Sequence, residues 1–395
     1  MNDKLRVLAV VSIYHALNDG TVTVVPLLYP IFRELYSLSY TQIGIITGSG
    51  LLVTLFAQLY FGRKADGKNF NTLLSLGVII TCASLLLLTK SFDFFSLLVL
   101  IILLRIGLSF FHPIGIAWIS RIFKKERIDW AMGMQSGFAD IGAFLGVATT
   151  LYIAEMTSWE FPLYLWALLG GIGLFAAFGF TRTLHPNVTS VSLVQQKQTI
   201  KEAILEGVHM GKNIKLLIPA FIVSGAAWGT TLTYLPLLLH ERTSLPLSLI
   251  GILVAVWIGV GSIASFLYGK ICARVKRKNV IILAYIAMGV TCLLLTFVLN
   301  VYALIVIMVV FGLATFLTYP ALFSFVSEVT NEAIEGRTFG MIFTWQLAVV
   351  TTMLFISGFF SDLIGIWIPF AILGVFSAIV AVLLLFNYKK PFACF

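Results

Sequence analysis

Charged residues are scarce in this chain. Asp, Glu, Lys and Arg make up 11% of its 395 residues, whereas 59% are hydrophobic. An ordinary soluble domain carries about 25% charged residues, and an aqueous fold has no means of hiding this much apolar surface. The low charge therefore excludes a soluble globular protein and indicates that the apolar faces lie in lipid.

Cysteine and the common catalytic motifs are scarce as well. The four cysteines lie in or beside apolar stretches without metal-ligand spacing, so we interpret them as packing residues and predict no disulfide and no metal site. The chain has no Gly-Lys-Ser/Thr phosphate loop, no intramembrane His-Glu metal motif and no nucleophile paired with a base. The sequence predicts no enzyme, no catalytic residues, no cofactor and no direct use of ATP.

Long apolar stretches are what the chain contains instead. A helix needs about 20 apolar residues to cross about 30 Å of hydrocarbon, and the chain divides into twelve segments of that length. They are Arg6–Phe32, Thr41–Arg63, Asn71–Thr89, Phe94–Arg121, Ile128–Glu155, Trp159–Thr181, Ile214–Leu239, Pro246–Lys270, Asn279–Leu299, Val301–Glu328, Arg337–Ser361 and Gly365–Asn387. We predict an all-α membrane protein with twelve transmembrane helices.

Positive charge is concentrated on one side of these spans. Of 26 Lys and Arg residues, 22 lie on that side, Arg33, Lys90 and Arg242 lie on the other, and Arg105 lies inside a span. The net charge of +9 therefore does not indicate a nucleic-acid partner. It is the positive-inside pattern of a multi-pass cell-membrane protein, and it predicts that both termini are cytoplasmic.

The chain contains two copies of a six-span unit. Shifting the second half by 207 residues aligns the spans without a gap and pairs Pro113 with Pro320 and Glu155 with Asp362. An even number of spans between equivalent positions makes the repeat parallel, with an axis along the membrane normal.

The repeat predicts three regions of the chain. An N-terminal six-helix bundle covers 1–183, and a C-terminal six-helix bundle covers 214–395. The polar segment between them, 184–213, is predicted to be a cytoplasmic linker. Apolar side chains fall on one face of a short helix over 200–208, which is typical of an interfacial helix.

The loop after the second span carries a family motif. The run from Gly62 to Lys68 has a glycine, then Ala65 and Asp66, then a basic residue. It resembles the signature of the major facilitator superfamily, although Asn, Phe and Asn at 69–71 replace the second glycine and its basic partners. The resemblance implies two pseudo-symmetric bundles that carry a small molecule by alternating access, usually as a monomer.

Two further motifs are similar to branches of that superfamily. His15, Asn18 and Asp19 in the first span, with His112 before a proline in the fourth, resemble the fosmidomycin-resistance branch of drug exporters. Three glycines of the fifth span resemble the antiporter glycine motif without its proline: Gly137, Gly142 and Gly146.

Ionisable side chains inside spans indicate function, because each costs about 2.5 to 3.5 kcal/mol at the bilayer centre. At 1.5 Å per residue, Asp19 and Asp140 are each about 20 Å from a cytoplasmic end, Arg105 about 24 Å and His112 about 13 Å. His15 shares a helix face with Asp19. We predict that these five residues couple transport to protons: Asp19 exchanges the proton, Arg105 is its switching partner, and the histidines tune or relay. A permanent Arg105–aspartate ion pair is the structural alternative.

The second half lacks charge at this depth and offers aromatic and neutral polar groups instead. Together with Asn18 we predict as substrate-binding residues Trp228, Tyr234, Trp257, Tyr319, Trp345 and Gln346. The alternative for each aromatic residue is packing or a place in the lipid-facing belt.

Opposite charges align at the predicted cytoplasmic mouth. The 207-residue shift pairs Arg121 with Glu328 and Lys125 with Glu332. We predict a salt-bridge gate of these four residues, with Asp66 at the amino end of the helix near Arg337. The alternative is a solvated loop that only orients the protein.

The residues support a proton-coupled exporter of drugs or metabolites. Its predicted partners are a small-molecule substrate, protons and membrane lipids. The alternative is an importer or facilitator of a small anionic metabolite without proton coupling, because Arg105 could hold a carboxylate or phosphonate.

Overall fold

The structure is a computed structural model that describes residues 2–65, 68–123, 125–184, 186–189, 212–329 and 332–387. Only the backbone is described for residues 63, 125–126, 129, 186–187, 212–216, 327–329, 332–341 and 387. The helices are α1 Asp3–Leu27, α2 Tyr29–Leu35, α3 Tyr40–Lys64, α4 Phe70–Leu88, α5 Phe94–Leu108, α6 Phe111–Ile122, α7 Lys125–Met156, α8 Phe161–Thr181, α9 Pro186–Thr189, α10 Lys212–Arg242, α11 Leu247–Arg274, α12 Arg277–Leu295, α13 Val301–Val329, α14 Glu332–Ile364 and α15 Ile368–Asn387.

Twelve stretches within these helices are long and apolar enough to cross a membrane, which confirms the predicted all-α fold and its number of spans. The first span is shorter than predicted. It ends at Leu27, and the separate helix α2 follows, with Pro30 in its first turn. A proline ring crowds the carbonyl four residues earlier and has no N–H to donate, and here the predicted single span to Phe32 is divided at Leu28.

The fourth span is broken near its middle. Helix α5 ends at Leu108 and α6 begins at Phe111. Pro113 lies four residues after Ser109, whose carbonyl therefore loses its helical donor at this break. The equivalent proline of the second half, Pro320, lies inside the unbroken helix α13.

The described chain forms two compact units. Unit 1 comprises 1–38, 49–195 and 246–251, and unit 2 comprises 39–48, 196–245 and 252–395. They follow the two repeats except for two short exchanged segments, 39–48 and 246–251. Residues 185 and 190–211 of the predicted linker lie outside the described residues, so the predicted domain boundaries remain a prediction.

Each unit is built around one buried helix. In unit 1, α1 packs along α7 and also against α8 and α6, and 67% of its most apolar stretch is buried. In unit 2, α10 packs against α13, α14 and α15, and 78% of its most apolar stretch is buried. Ser12, His15 and Asn18 of α1 are thereby buried among neighbouring helices.

Candidate functional site

A carboxylate and two imidazoles meet inside unit 1. His15 and Asp19 lie one turn apart on α1, and the break before α6 places His112 beside them. The Nε2 atom of His15 is 3.4 Å from Oδ2 of Asp19, and Nε2 of His112 is 4.0 Å from Oδ1. The two imidazole rings contact each other edge to face at 5.4 Å between centroids. Three of the five predicted coupling residues are thus brought together, and we call them the Asp19 cluster.

Gln135 of α7 orients the first of these imidazoles. Its side-chain oxygen receives a hydrogen bond from Nδ1 of His15, and its side-chain nitrogen donates to Oγ of Ser136 at 2.9 Å. Because an amide oxygen only accepts, the Nδ1 atom of His15 carries a hydrogen. No sequence pattern predicts this contact, since Gln135 is 120 residues from His15.

The Nε2 atom of His15 then faces Asp19 with a lone pair whenever the imidazole is neutral. Two acceptors at 3.4 Å repel each other unless one of them carries a proton. The arrangement can therefore hold one proton, as an imidazolium beside a carboxylate or as a carboxylic acid that donates to Nε2. Asn18 stabilises the carboxylate by donating from Nδ2 to Oδ1 of Asp19 at 2.9 Å.

The same three side chains have a second chemical possibility. Each offers one ligand atom, and these atoms lie within 4.8 Å of one another, so the group could hold a metal ion. The sequence analysis predicted no metal site because it counted spacing along the chain, whereas His112 reaches the group only through the fold.

The two remaining coupling candidates differ in their surroundings. Asp140 of α7 is close enough to Asp19 and His15 for their charges to interact. Arg105 is 8% exposed and takes part in no salt bridge in the described part of the chain. Its side chain lies against Gly50, where an added Cβ would be 3.1 Å from Cγ of the arginine, and near the phenol of Tyr29. The described structure does not bring Arg105 within ion-pair distance of Asp19.

Asn18 also lines a small internal cavity of unit 1. The cavity has a volume of about 20 Å³, and Tyr14, Thr21 and Thr81 are among its other lining residues. This is enough for one water molecule and far below the several hundred cubic ångströms of a ligand pocket. The cavity is therefore a candidate water site beside Asn18.

Most of the predicted substrate-binding aromatics are engaged inside unit 2. Trp257 is fully buried, and its ring lies 5.2 Å from that of Trp228 and 6.0 Å from that of Phe311. Tyr234 is also fully buried and donates to the carbonyl of Leu354 at 2.7 Å. These contacts are those of packing residues. Trp345 is 38% exposed and keeps accessible ring surface.

Tyr319 and Gln346 belong to a buried hydrogen-bond network of unit 2. Tyr319 donates to the carbonyl of Ser224 at 3.2 Å, and Gln346 donates to the carbonyl of Phe221 at 2.7 Å. The hydroxyl of Ser224 lies 2.7 Å from those of Tyr285 and Thr318. Sequence reasoning missed Ser224, Tyr285 and Thr318, because hydroxyl groups on apolar helices resemble ordinary helix-packing residues.

The predicted cytoplasmic gate falls largely outside the described residues. This holds for Asp66 and for the side chains of Lys125, Glu328, Glu332 and Arg337. Arg121 is described, and its guanidinium lies 4.9 Å from the ring centroid of Phe70. The gate remains a prediction.

Comparison with known proteins identifies the class of this fold. The Major Facilitator Superfamily profile matches residues 11–349 and, in a second overlapping match, residues 217–393. The chain therefore belongs to the major facilitator superfamily, whose members are transporters, and the resemblance predicted from the sequence is confirmed.

Two curated relatives match part of the chain. It is 26% identical over 177 residues to the uncharacterized MFS-type transporter YfnC of Bacillus subtilis, over 44% of this chain and 39% of that protein. It is 28% identical over 140 residues to the fosmidomycin resistance protein of Escherichia coli, over 35% of this chain and 34% of that protein. The matched stretches span well under half of either relative.

The fold extends over nearly the whole chain. The crystal structure of the nucleoside transporter NupG superimposes with a TM-score of 0.77 over 98% of this chain and 100% of that one, at 17% identity. At this identity the likeness concerns the fold alone. Its superfamily and its twelve apolar helices together indicate a multi-pass membrane protein.

Proposed function

We propose that this protein is a proton-coupled exporter, an antiporter that moves drug-like compounds or metabolites out of the cell. The proposal rests on one observation: Nε2 of His15 and Oδ2 of Asp19 face each other at 3.4 Å while Gln135 holds the hydrogen on Nδ1. A passive facilitator has no need of a pair within the membrane span that shares a proton. The partial match to a fosmidomycin resistance protein agrees with export.

The proposed topology follows from charge. Lys and Arg are concentrated in the loops on one side, so we place that side and both termini in the cytoplasm of a cell-membrane protein. The protein then works as a monomer that binds its substrate, protons and lipid. In each half of the transport cycle, protons would reach the Asp19 cluster from the side of the membrane to which the site is open.

Flux into proteoliposomes under an imposed pH gradient tests the proposal. Efflux of protons should drive uptake of candidate substrates that were first selected by thermal shift on the purified protein. With one proton exchanged, a gradient of about one pH unit supports about tenfold accumulation. The assay is run with EDTA and, in a parallel arm, with an added divalent metal in its place. Accumulation that needs the metal would contradict a proton at the Asp19 cluster. Equal fluxes with and without the gradient would contradict coupling.

Replacing Gln135 with Leu should weaken proton coupling while leaving His15 and Asp19 in place. The leucine cannot accept from Nδ1 of His15, so the imidazole is free to take the other tautomer and donate Nε2–H to a permanently charged Asp19. We expect gradient-driven accumulation to fall several-fold while exchange of labelled substrate at equal pH changes little. Gln135→Glu, which restores an oxygen acceptor, is the rescue variant. If Leu and Glu behave alike, the tautomer argument is wrong.

A second candidate function has its own observation. Arg105 is a buried guanidinium without a salt bridge in the described chain. A buried cation is stabilised by an anionic partner, and a bound carboxylate or phosphonate would supply one. This favours an importer or facilitator of a small anionic metabolite that needs no proton.

Variants of Arg105 separate the two functions. If an anion binds there, Arg105→Gln should reduce uptake of small carboxylates or phosphonates by at least tenfold, since a charge-assisted bidentate contact is worth about 1.5 to 3 kcal/mol. Arg105→Lys keeps the charge, loses the fork geometry and should fall between. Initial uptake rates of charged and neutral candidates are compared. An equal loss for both kinds of compound would assign Arg105 to structure or coupling rather than to anion binding.

A further inference from the structure

The carboxylate of Asp362 caps the first turn of α3. It lies at the end of α14 and accepts from the backbone N–H of Tyr40 at 2.8 Å and of Thr41 at 2.8 Å. The hydroxyl of Thr41 donates to it as well, at 2.5 Å. The free N–H groups of a helix start need such acceptors, and a negative charge there is favourable. A residue 321 positions away thus closes the start of this helix.

The second half of the repeat contains the same device. The carboxylate of Glu155, at the end of α7, accepts from the backbone N–H of Ser248 in the first turn of α11 at 2.8 Å. The 207-residue shift that relates the two halves pairs Glu155 with Asp362 and Ser248 with Thr41. Two occurrences at equivalent positions, each in its own unit, make a chance contact a poor explanation.

These two caps coincide with the exchanged segments of the fold. Residues 39–48 start α3 yet belong to unit 2, and residues 246–251 start α11 yet belong to unit 1. Each helix therefore begins in one unit and continues in the other. In each case the cap is a polar contact between the helix start and another helix of the same unit.

We propose that Glu155 and Asp362 are two halves of a conformational latch that holds the starts of α3 and α11 and is released when the transporter changes state. Both carboxylates are exposed, so water can replace them as acceptors when the helix starts leave. The contacts are thus reversible, as a latch requires, and unlike a buried ion pair whose rupture leaves a desolvated charge. By the proposed topology the latch lies on the external side, but it does not depend on proton coupling.

The latch is predicted to be asymmetric. Asp362 receives three hydrogen bonds, and the hydroxyl of Tyr40 beside it also donates to Glu241. The equivalent of Tyr40 in the second half is Leu247, which has no hydroxyl group. Loss of Asp362 should therefore release its helix start more than loss of Glu155 releases the other.

Cysteine labelling at two equivalent buried positions tests this. Ile43 and Ile250 are related by the same shift, and each is 0% exposed. In protein whose four native cysteines are replaced by Ala, I43C and I250C in nanodiscs are reacted with a maleimide. Since loss of a helix cap typically changes an equilibrium about fivefold, Asp362→Ala should raise the labelling rate of I43C by about that factor, and Glu155→Ala that of I250C by less.

Asp93 provides the matched control. It caps the start of its own helix, α5, by accepting from the backbone N–H of Ser96 at 2.8 Å, and this bond holds its pKa below the usual value. Asp93→Ala removes the same chemistry without touching an exchanged segment, so neither probe should respond. If Asp362→Ala folds poorly, Asp362→Asn, which keeps an oxygen acceptor, should give an intermediate rate. Unchanged labelling in folded variants, or an equal rise with Asp93→Ala, would overturn the latch.

Discussion

Asp19→Asn should abolish accumulation of substrate against its gradient while leaving the transporter folded. The amide has nearly the same shape as the carboxylate but cannot exchange a proton, so the pair with His15 can no longer alternate between its two protonated forms. The mutant should still equilibrate substrate across the membrane. Under a gradient of about one pH unit, the expected change is from about tenfold accumulation to none. Proteoliposome uptake with and without the gradient measures it.

Asp140→Asn is the control for this variant. It removes a carboxylate at the same predicted depth, from a residue that forms no salt bridge in the described part of the chain. Asp140 is not part of the Asp19 cluster and interacts with Asp19 through charge. Of the five residues first predicted to couple transport, it is therefore expected only to tune the site, so its loss should change the pH dependence of uptake and leave accumulation in place. Full accumulation by Asp19→Asn, or loss of accumulation in both variants alike, would remove Asp19 from its proposed role.

The number of spans could be predicted from the sequence because hydrocarbon thickness fixes the length of each apolar stretch. The positions at which helices break were harder to predict. Pro113 and Pro320 occupy equivalent positions, yet the helix is interrupted only at the first. Proline removes the same hydrogen bond in both, so neighbouring helices decide whether the chain adapts by bending or by breaking.

Only the part of the candidate site that lies on a single helix could be predicted from the sequence. His15 and Asp19 are four residues apart on one helix, and helical periodicity alone places them together. Gln135 and His112 reach them through the packing of α7 and α6 on α1, which no periodicity describes. Likewise the sequence marked Tyr234 and Trp257 as polar aromatics but could not tell that both are fully buried within unit 2.

Close packing of α7 against α1 supports the Asp19 cluster. A substitution at this contact has the largest effect on stability that we expect. Where α7 crosses α1, a Cβ added at Gly142 would lie 2.0 Å from the carbonyl oxygen of Ala16, and one at Gly146 would lie 2.6 Å from that of Gly20. The obstacles at Gly142 are all backbone atoms of Ala16, which cannot rotate away as a flexible side chain could, whereas the nearest atom at Gly146 is the hydroxyl of Thr23 at 2.3 Å. Glycine is needed here for close approach, as in other membrane helix pairs.

Gly142→Ala should therefore force α7 away from α1 and destabilise the protein. Overpacking typically costs about 1 to 3 kcal/mol, and a backbone obstacle leaves little room for relief, so we expect Tm to fall by roughly 5 °C or more. Because Gln135 lies on the same helix and must reach His15, coupling should weaken too. Gly133→Ala is the control on α7, since an added Cβ there has nothing within 4 Å. If thermal unfolding shows the same Tm for both variants, close contact between α1 and α7 does not hold the Asp19 cluster in place.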